Sequence, residues 1–136
     1  MVPVDGSHAS LQAVALACDI ARKSKGQVFV VHVIEVKRTL PLDAELGPEA
    51  AAGDEVLAQA EQVAREQDFE VEGEILQARE ASHAIFDEAI ERTVDLIILG
   101  MDYQQPFGEF QLGRVVQHVL KSAPCEVWVC RHPVQE

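Results

Sequence analysis

The chain has 136 residues, 48% of them apolar and 25% charged, which suits one domain spanning 1–136 around a single core and leaves little room for a two-domain enzyme. Eleven Lys and Arg against 23 Asp and Glu give a formal charge of -12, a field that repels phosphate backbones and anionic lipid and makes nucleic acid and membrane surfaces poor partners. No run approaches the ~18 continuous apolar residues of a membrane span, and no basic and apolar leader opens the chain, so the expectation is a cytoplasmic protein with no direct membrane insertion.

Met1-Val2-Pro3-Val4 runs into the turn-prone Asp5-Gly6 and the helix-capping candidate Ser7, which predicts a strand feeding a helix. Leu11, Val14, Ala15, Cys18 and Ala21 then form the stripe of an amphipathic helix that Gly26 can close. Val28 to Ile34 is nearly unbroken and rich in β-branched residues, as expected of a parallel strand covered on both faces. Glu35 to Pro48 carries two prolines and no steady period and reads as a long loop. Helical spacing returns at Ala52, Val56, Ala60, Val63 and Ala64, with acidic residues on the solvated side.

Phe69, Val71 and Ile75 alternate in part around Gly73, which predicts a third strand near a sheet edge. Ser82 is the expected cap of a helix burying Ile85, Phe86, Ala89 and Ile90, and Val94 to Leu99 is a fourth strand ending at Gly100. A loop over Met101 to Leu112 leads to a last helix marked by Val115, Val116, Val119 and Leu120, which must stop before Pro124. Glu126 to Cys130 forms the final strand. Five strands alternating with four helices make an α/β fold, a doubly wound parallel sheet.

In such sheets ligands bind beyond the carboxyl ends of the strands, where the strand order reverses. That places a pocket among Asp5-Gly6-Ser7-His8, Val33 to Val36 and the loop from Gly100. Cys18, Cys125 and Cys130 form no CxxC pair and read as core cysteines. The five histidines lack metal-ligand spacing, and no nucleophile elbow is present, so neither a metal nor a catalytic residue is expected. His32, on a buried strand, reads as a satisfied core residue. Phe107 and Phe110 read as residues that pin their loop to the domain.

Val2-Pro3-Val4-Asp5-Gly6-Ser7, Val31-His32-Val33, Asp95-Leu96-Ile97-Ile98-Leu99-Gly100 and the run from Val119 to Val129 together resemble the universal stress protein family over nearly the whole chain. The resemblance implies the fold of adenine nucleotide alpha hydrolase-like proteins, a five-stranded sheet in the order 3-2-1-4-5, and a dimer. It also implies a stress-response regulatory module that acts by binding rather than catalysis. Two other roles stay open: a weak ATP-hydrolysing enzyme, and an accessory regulatory domain beside a membrane transporter or another regulated protein. Relatives place more apolar residues before the Pro-Val-Asp segment, which leads to the expectation that the true start lies upstream or that the domain is cut from a longer chain.

Nucleotide-binding members carry a GxxGx9G(S/T) loop that holds ATP. Gly100 and Gly113 match its first and third glycines, whereas Tyr103 stands at the middle glycine and Arg114 at the Ser or Thr. A side chain at Tyr103 hinders backbone approach to phosphate, and Asp102 and Glu109 add like charge, although Arg114 is itself an anion ligand. The resemblance assigns Pro3, Val4, Asp5, Val33, Gly100, Met101, Gly113, Arg114 and Val115 to an adenine nucleotide, ATP or AMP, with Pro3, Val4 and Val33 as apolar walls. Asp5 has two readings, a hydrogen-bond acceptor for the nucleoside or a cap on the following helix. Val127, Trp128 and Val129 would leave an apolar edge on the last strand, which predicts a homodimer paired through it.

Overall fold

The computed structural model describes residues 1–103 and 114–133. In chain order the elements are β1 (Val2–Pro3), α1 (His8–Ser24), β2 (Phe29–Glu35), α2 (Gly47–Glu66), β3 (Glu72–Ala78), α3 (Ala81–Glu91), β4 (Leu96–Tyr103), α4 (Arg114–Ser122) and β5 (Glu126–Pro133). Gly113, Phe107, Phe110 and Glu109 lie outside the described residues.

All registered strand pairs are parallel, but they form two sheets rather than the expected single one: β1-β2-β3 and β4-β5. The reason is Pro3: with the Ile98 N–H bonded to the Met1 carbonyl, the parallel pattern next needs an N–H from residue 3, which proline lacks. Strand β1 does bridge the halves. The Ile98 N–H donates to the Met1 carbonyl at 3.0 Å, and the Met1 amine donates to the Leu96 carbonyl at 2.8 Å. The order across the molecule is therefore β3-β2-β1 and then β4-β5.

Neighbouring residues on the central strands feed opposite faces, which is why those strands read as continuous apolar runs. Val2, Val30 and Ile98 pack beneath α1 and α2, while Val31, Ile97 and Leu99 pack beneath α3 and α4. The buried face of α1 is made of small residues, Ala9, Ala13, Ala17, Cys18 and Ala21 with Val14, so the helix sits close to the sheet. At Gly100 that approach becomes limiting. A Cβ there would stand 2.0 Å from the Ala9 carbonyl oxygen and 3.0 Å from the Ser10 nitrogen.

Several expected boundaries shift for local reasons. Helix α1 ends on Lys25, not Gly26, in the left-handed conformation at φ 60, and the Gly26 N–H returns to the Ala21 carbonyl at 2.8 Å. Helix α2 starts at Gly47 with Pro48 in its first turn, where a missing N–H costs nothing. Strand β3 begins at Glu72 and pairs only with β2 among the described residues, as an edge strand. Ser82 does not cap α3. Glu80 occupies the cap position, and Ser82 is buried with its hydroxyl 3.2 Å from His118 Nδ1 on α4. Of the expected α3 stripe, Ile85 and Ala89 are buried whereas Ile90 is exposed. Strand β4 does not end at Gly100, because Met101, Asp102 and Tyr103 continue it in register with Arg131, His132 and Pro133.

One buried carboxylate needs a partner, and Arg92 supplies it. Its Nε donates to Glu88 at 3.1 Å and its Nη2 to Glu74 at 2.8 Å, with the guanidinium 4.4 Å above the Phe29 ring. The end of α3 is thereby held to β3 and β2, and the Glu88 charge is not left unpaired in the interior.

The contact at Gly100 yields a direct expectation. Gly100→Ala forces helix and strand apart along a backbone that cannot swing aside, so urea unfolding should show a loss of about 3 kcal/mol. An unchanged midpoint would show that α1 and β4 can separate without cost.

Candidate functional site

Because β2 and β4 leave β1 on opposite sides, a cleft opens beyond the carboxyl end of β1. Its volume is about 500 Å³, within the range of small-molecule sites. Eight of the nine residues assigned from sequence line it: Pro3, Val4, Asp5, Val33, Gly100, Met101, Arg114 and Val115. The ninth, Gly113, lies outside the described residues. β1 with the turn after it, β2 and β4 supply the first six, and the start of α4 supplies Arg114 and Val115.

The turn after β1 is built by hydrogen bonds between side chains and backbone. Ser7 caps α1, its hydroxyl accepting from the Ser10 N–H at 3.1 Å. Asp5 Oδ1 accepts from the Ser7 N–H at 2.9 Å, and the glycine between them takes φ +87, a conformation that favours glycine. Asp5 therefore organises the approach to the helix while remaining exposed at the cleft. Partial burial of the carboxyl pushes its pKa up, but hydrogen bonding, above all from Ser7, outweighs that and holds it below the usual carboxylate value. Asp5 is thus an ionised acceptor at neutral pH, with Oδ1 engaged by Ser7.

The opposite wall carries the charge contrast. Asp102 on β4 and Arg114 at the first turn of α4 both face the cleft. Its charged lining is then Asp5 and Asp102 against the single guanidinium of Arg114 among the described residues. Met101 and Gly100 reach it from within β4, so the first glycine of the loop pattern serves a second purpose: it admits the first turn of α1, as its absent Cβ shows.

Several lining residues were not singled out from the sequence. Ser10 is buried, donates its hydroxyl to the Ser7 carbonyl at 2.9 Å and accepts from the Asp5 N–H at 3.4 Å. Its place three residues after a capping serine was the available signal. Ala81, Ile85 and Val116 enter from α3 and α4, whose packing no local pattern announces. His32, expected to be a satisfied core residue, is half-buried and does have a partner: its Nδ1 lies 2.9 Å from the Val4 carbonyl oxygen, and the residue is part of the cleft lining.

Among the described residues, no group of three His, Cys, Asp or Glu is placed to hold a metal ion, and no helix is long and apolar enough to cross a membrane.

Comparison with known proteins places this geometry in a family. The sequence profile of the universal stress protein family matches residues 1–131. A universal stress protein of Methanocaldococcus jannaschii is 30% identical over 142 aligned positions, covering 100% of this chain and 83% of that protein. The solved structure of a universal stress protein from Archaeoglobus fulgidus in complex with dAMP superposes with a TM-score of 0.74 at 22% identity, covering 93% of this chain and 92% of that one. A universal stress protein family member from Arabidopsis thaliana with AMP bound gives 0.69 at 18%, covering 97% and 90%. At those identities the two structures speak for the fold alone. The chain belongs to the universal stress protein family.

Proposed function

We propose that this member of the universal stress protein family is a cytoplasmic regulatory module whose cleft binds an adenine nucleotide, with a monophosphate preferred over a triphosphate, and that it acts by binding rather than turnover. The observation that carries this reading is the convergence of Pro3, Val4, Asp5, Val33 and Arg114 on a single cleft. Apolar walls suit a base, an ionised Asp5 suits ribose hydroxyl donors, and one guanidinium at a helix start suits one phosphate. Relatives of the same fold supply the ligand class, since they were solved with dAMP and with AMP.

Charge sets the preference for length of the phosphate chain. A monophosphate brings about two negative charges, which Arg114 at the start of α4 can meet bidentately. Further phosphates would extend the anion toward Asp102, where repulsion between like charges a few Å apart costs on the order of 1 kcal/mol even at a screened dielectric. Tyr103, at the middle position of the family's phosphate loop, adds a side chain where glycine would let the backbone approach.

Assembly follows from the sheet edge. Strand β5 is registered to β4 on one side only among the described residues, and Trp128 on it is exposed. Antiparallel pairing of two β5 strands about a two-fold axis would satisfy the open edge and cover the indole.

Two outcomes check these statements. Titration calorimetry should show AMP binding more tightly than ATP, and Tyr103→Gly, which keeps the Arg114 guanidinium, should raise ATP affinity at least tenfold, equivalent to about 1.4 kcal/mol. Tight ATP binding by the unmodified protein would show that the loop reaches phosphate by another route. In sedimentation, the protein should be a dimer at micromolar concentration and Trp128→Lys a monomer, whereas a monomeric parent would end the β5 assignment.

A further inference from the structure

The peptide unit joining Val4 to Asp5 is held at both of its polar atoms by side chains from two different elements. On one side the Val4 carbonyl faces His32 Nδ1 of β2 at 2.9 Å. A carbonyl oxygen can only accept, so Nδ1 carries the proton and donates. On the other side the Asp5 N–H faces Ser10 Oγ of α1 at 3.4 Å, and that hydroxyl donates to the Ser7 carbonyl at 2.9 Å. Backbone pairing has just ended there: the Val4 N–H still donates to the Val31 carbonyl at 2.8 Å, and two residues on Gly6 has turned to φ +87.

The ring is itself confined. At Gly53 on α2 a Cβ would stand 2.9 Å from His32 Cδ2 and 3.0 Å from Ile75 Cδ1, so the helix lies against the imidazole with no room for a methyl group. Helix α2 in this way fixes the ring, the ring fixes the Val4 carbonyl, and the carbonyl sets the direction in which Asp5 leaves the sheet.

We infer that His32 is a positioning residue for the cleft, orienting the Asp5 carboxylate through the Val4–Asp5 peptide, a role that deepens the adenylate reading of the same site. His32 touches no reacting atom in this role. It supplies the Val4 carbonyl with a donor just past the last backbone hydrogen bond to β2, and its reach is fixed by a flat ring with a glycine behind it.

The test compares the parent with His32→Asn, His32→Phe and Gly53→Ala. Asn places an amide donor near the position of Nδ1, Phe keeps the ring and removes the donor, and a methyl group at Gly53 displaces the ring. The first readout is the Asp5 titration followed by carboxyl 13C NMR, which involves no nucleotide. Its pKa should lie below 3.8 in the parent and in His32→Asn, and rise toward that ordinary value in His32→Phe and Gly53→Ala as the hydrogen bonds from Ser7 and Ser10 loosen. The second readout is AMP affinity by calorimetry, expected to fall about tenfold in the Phe and Ala variants and to stay within threefold in the Asn variant.

An Asp5 titration that stays down in both the Phe and Ala variants overturns the assignment. Equal losses in the Asn and Phe variants overturn it as well, because the ring would then be filling space and not donating. Should the Phe variant fail to fold, Gly53→Ala against His32→Asn still decides. If AMP binds to none of the four proteins, the adenylate reading falls while the Asp5 titration still decides whether His32 positions that carboxylate.

Discussion

Two residues of strand hold this molecule together at its centre. β1 joins the β2-β3 ladder through its pairing with Val30 and Val31, and it meets β4 through the Met1 carbonyl and amine. The cleft lies at the carboxyl end of that strand. Here the chain leaves the sheet after Val4, and side chains from β2 and α1 take over the pairing. The same departure creates the turn on which Asp5 and Ser7 sit and opens the space between β2 and β4.

Close packing of α1 is the second constraint, and it sets where the cleft can be. The small-residue face of the helix allows its first turn to rest on Gly100, at a separation that no side chain at that position would permit. The helix start is therefore anchored to β4 at the point where β4 passes the cleft, and Ser7 and Ser10 are held there by position rather than by length of side chain. A glycine that a loop pattern associates with phosphate thus has a packing reason for being glycine, independent of any ligand. The charge around the cleft adds a feature of its own: Asp5 and Asp102 line it together with Arg114, which on the proposed reading favours one anionic group over a chain of them.

The fold class was legible because its signals are local. Unbroken β-branched runs at Val28 to Ile34 and Val94 to Leu99, alternating with helical stripes, read as a parallel sheet. That Pro3, Val4, Asp5, Val33, Gly100, Met101, Arg114 and Val115 would come together was also legible, and they line one cleft. What was not legible depends on distance between elements. The split into two sheets turns on hydrogen bonds counted across β1. Ser82 looks like a cap in sequence, yet it is buried against His118 because α3 and α4 pack together. Lys25 rather than Gly26 takes the left-handed position, a choice between neighbours that composition does not decide. His32 read as core, and only its contact with the Val4 carbonyl gives it a bearing on the site.

The central claim is that the cleft beyond β1 receives an adenylate with its base against Pro3, Val4 and Val33, its ribose near Asp5 and its phosphate at Arg114. A crystal structure grown with AMP measures this most directly. The account predicts density for one nucleotide in the cleft, in that orientation, with the Arg114 guanidinium within hydrogen-bond reach of the phosphate. Density for AMP elsewhere on the surface, or in the cleft with the phosphate turned away from Arg114, would contradict it.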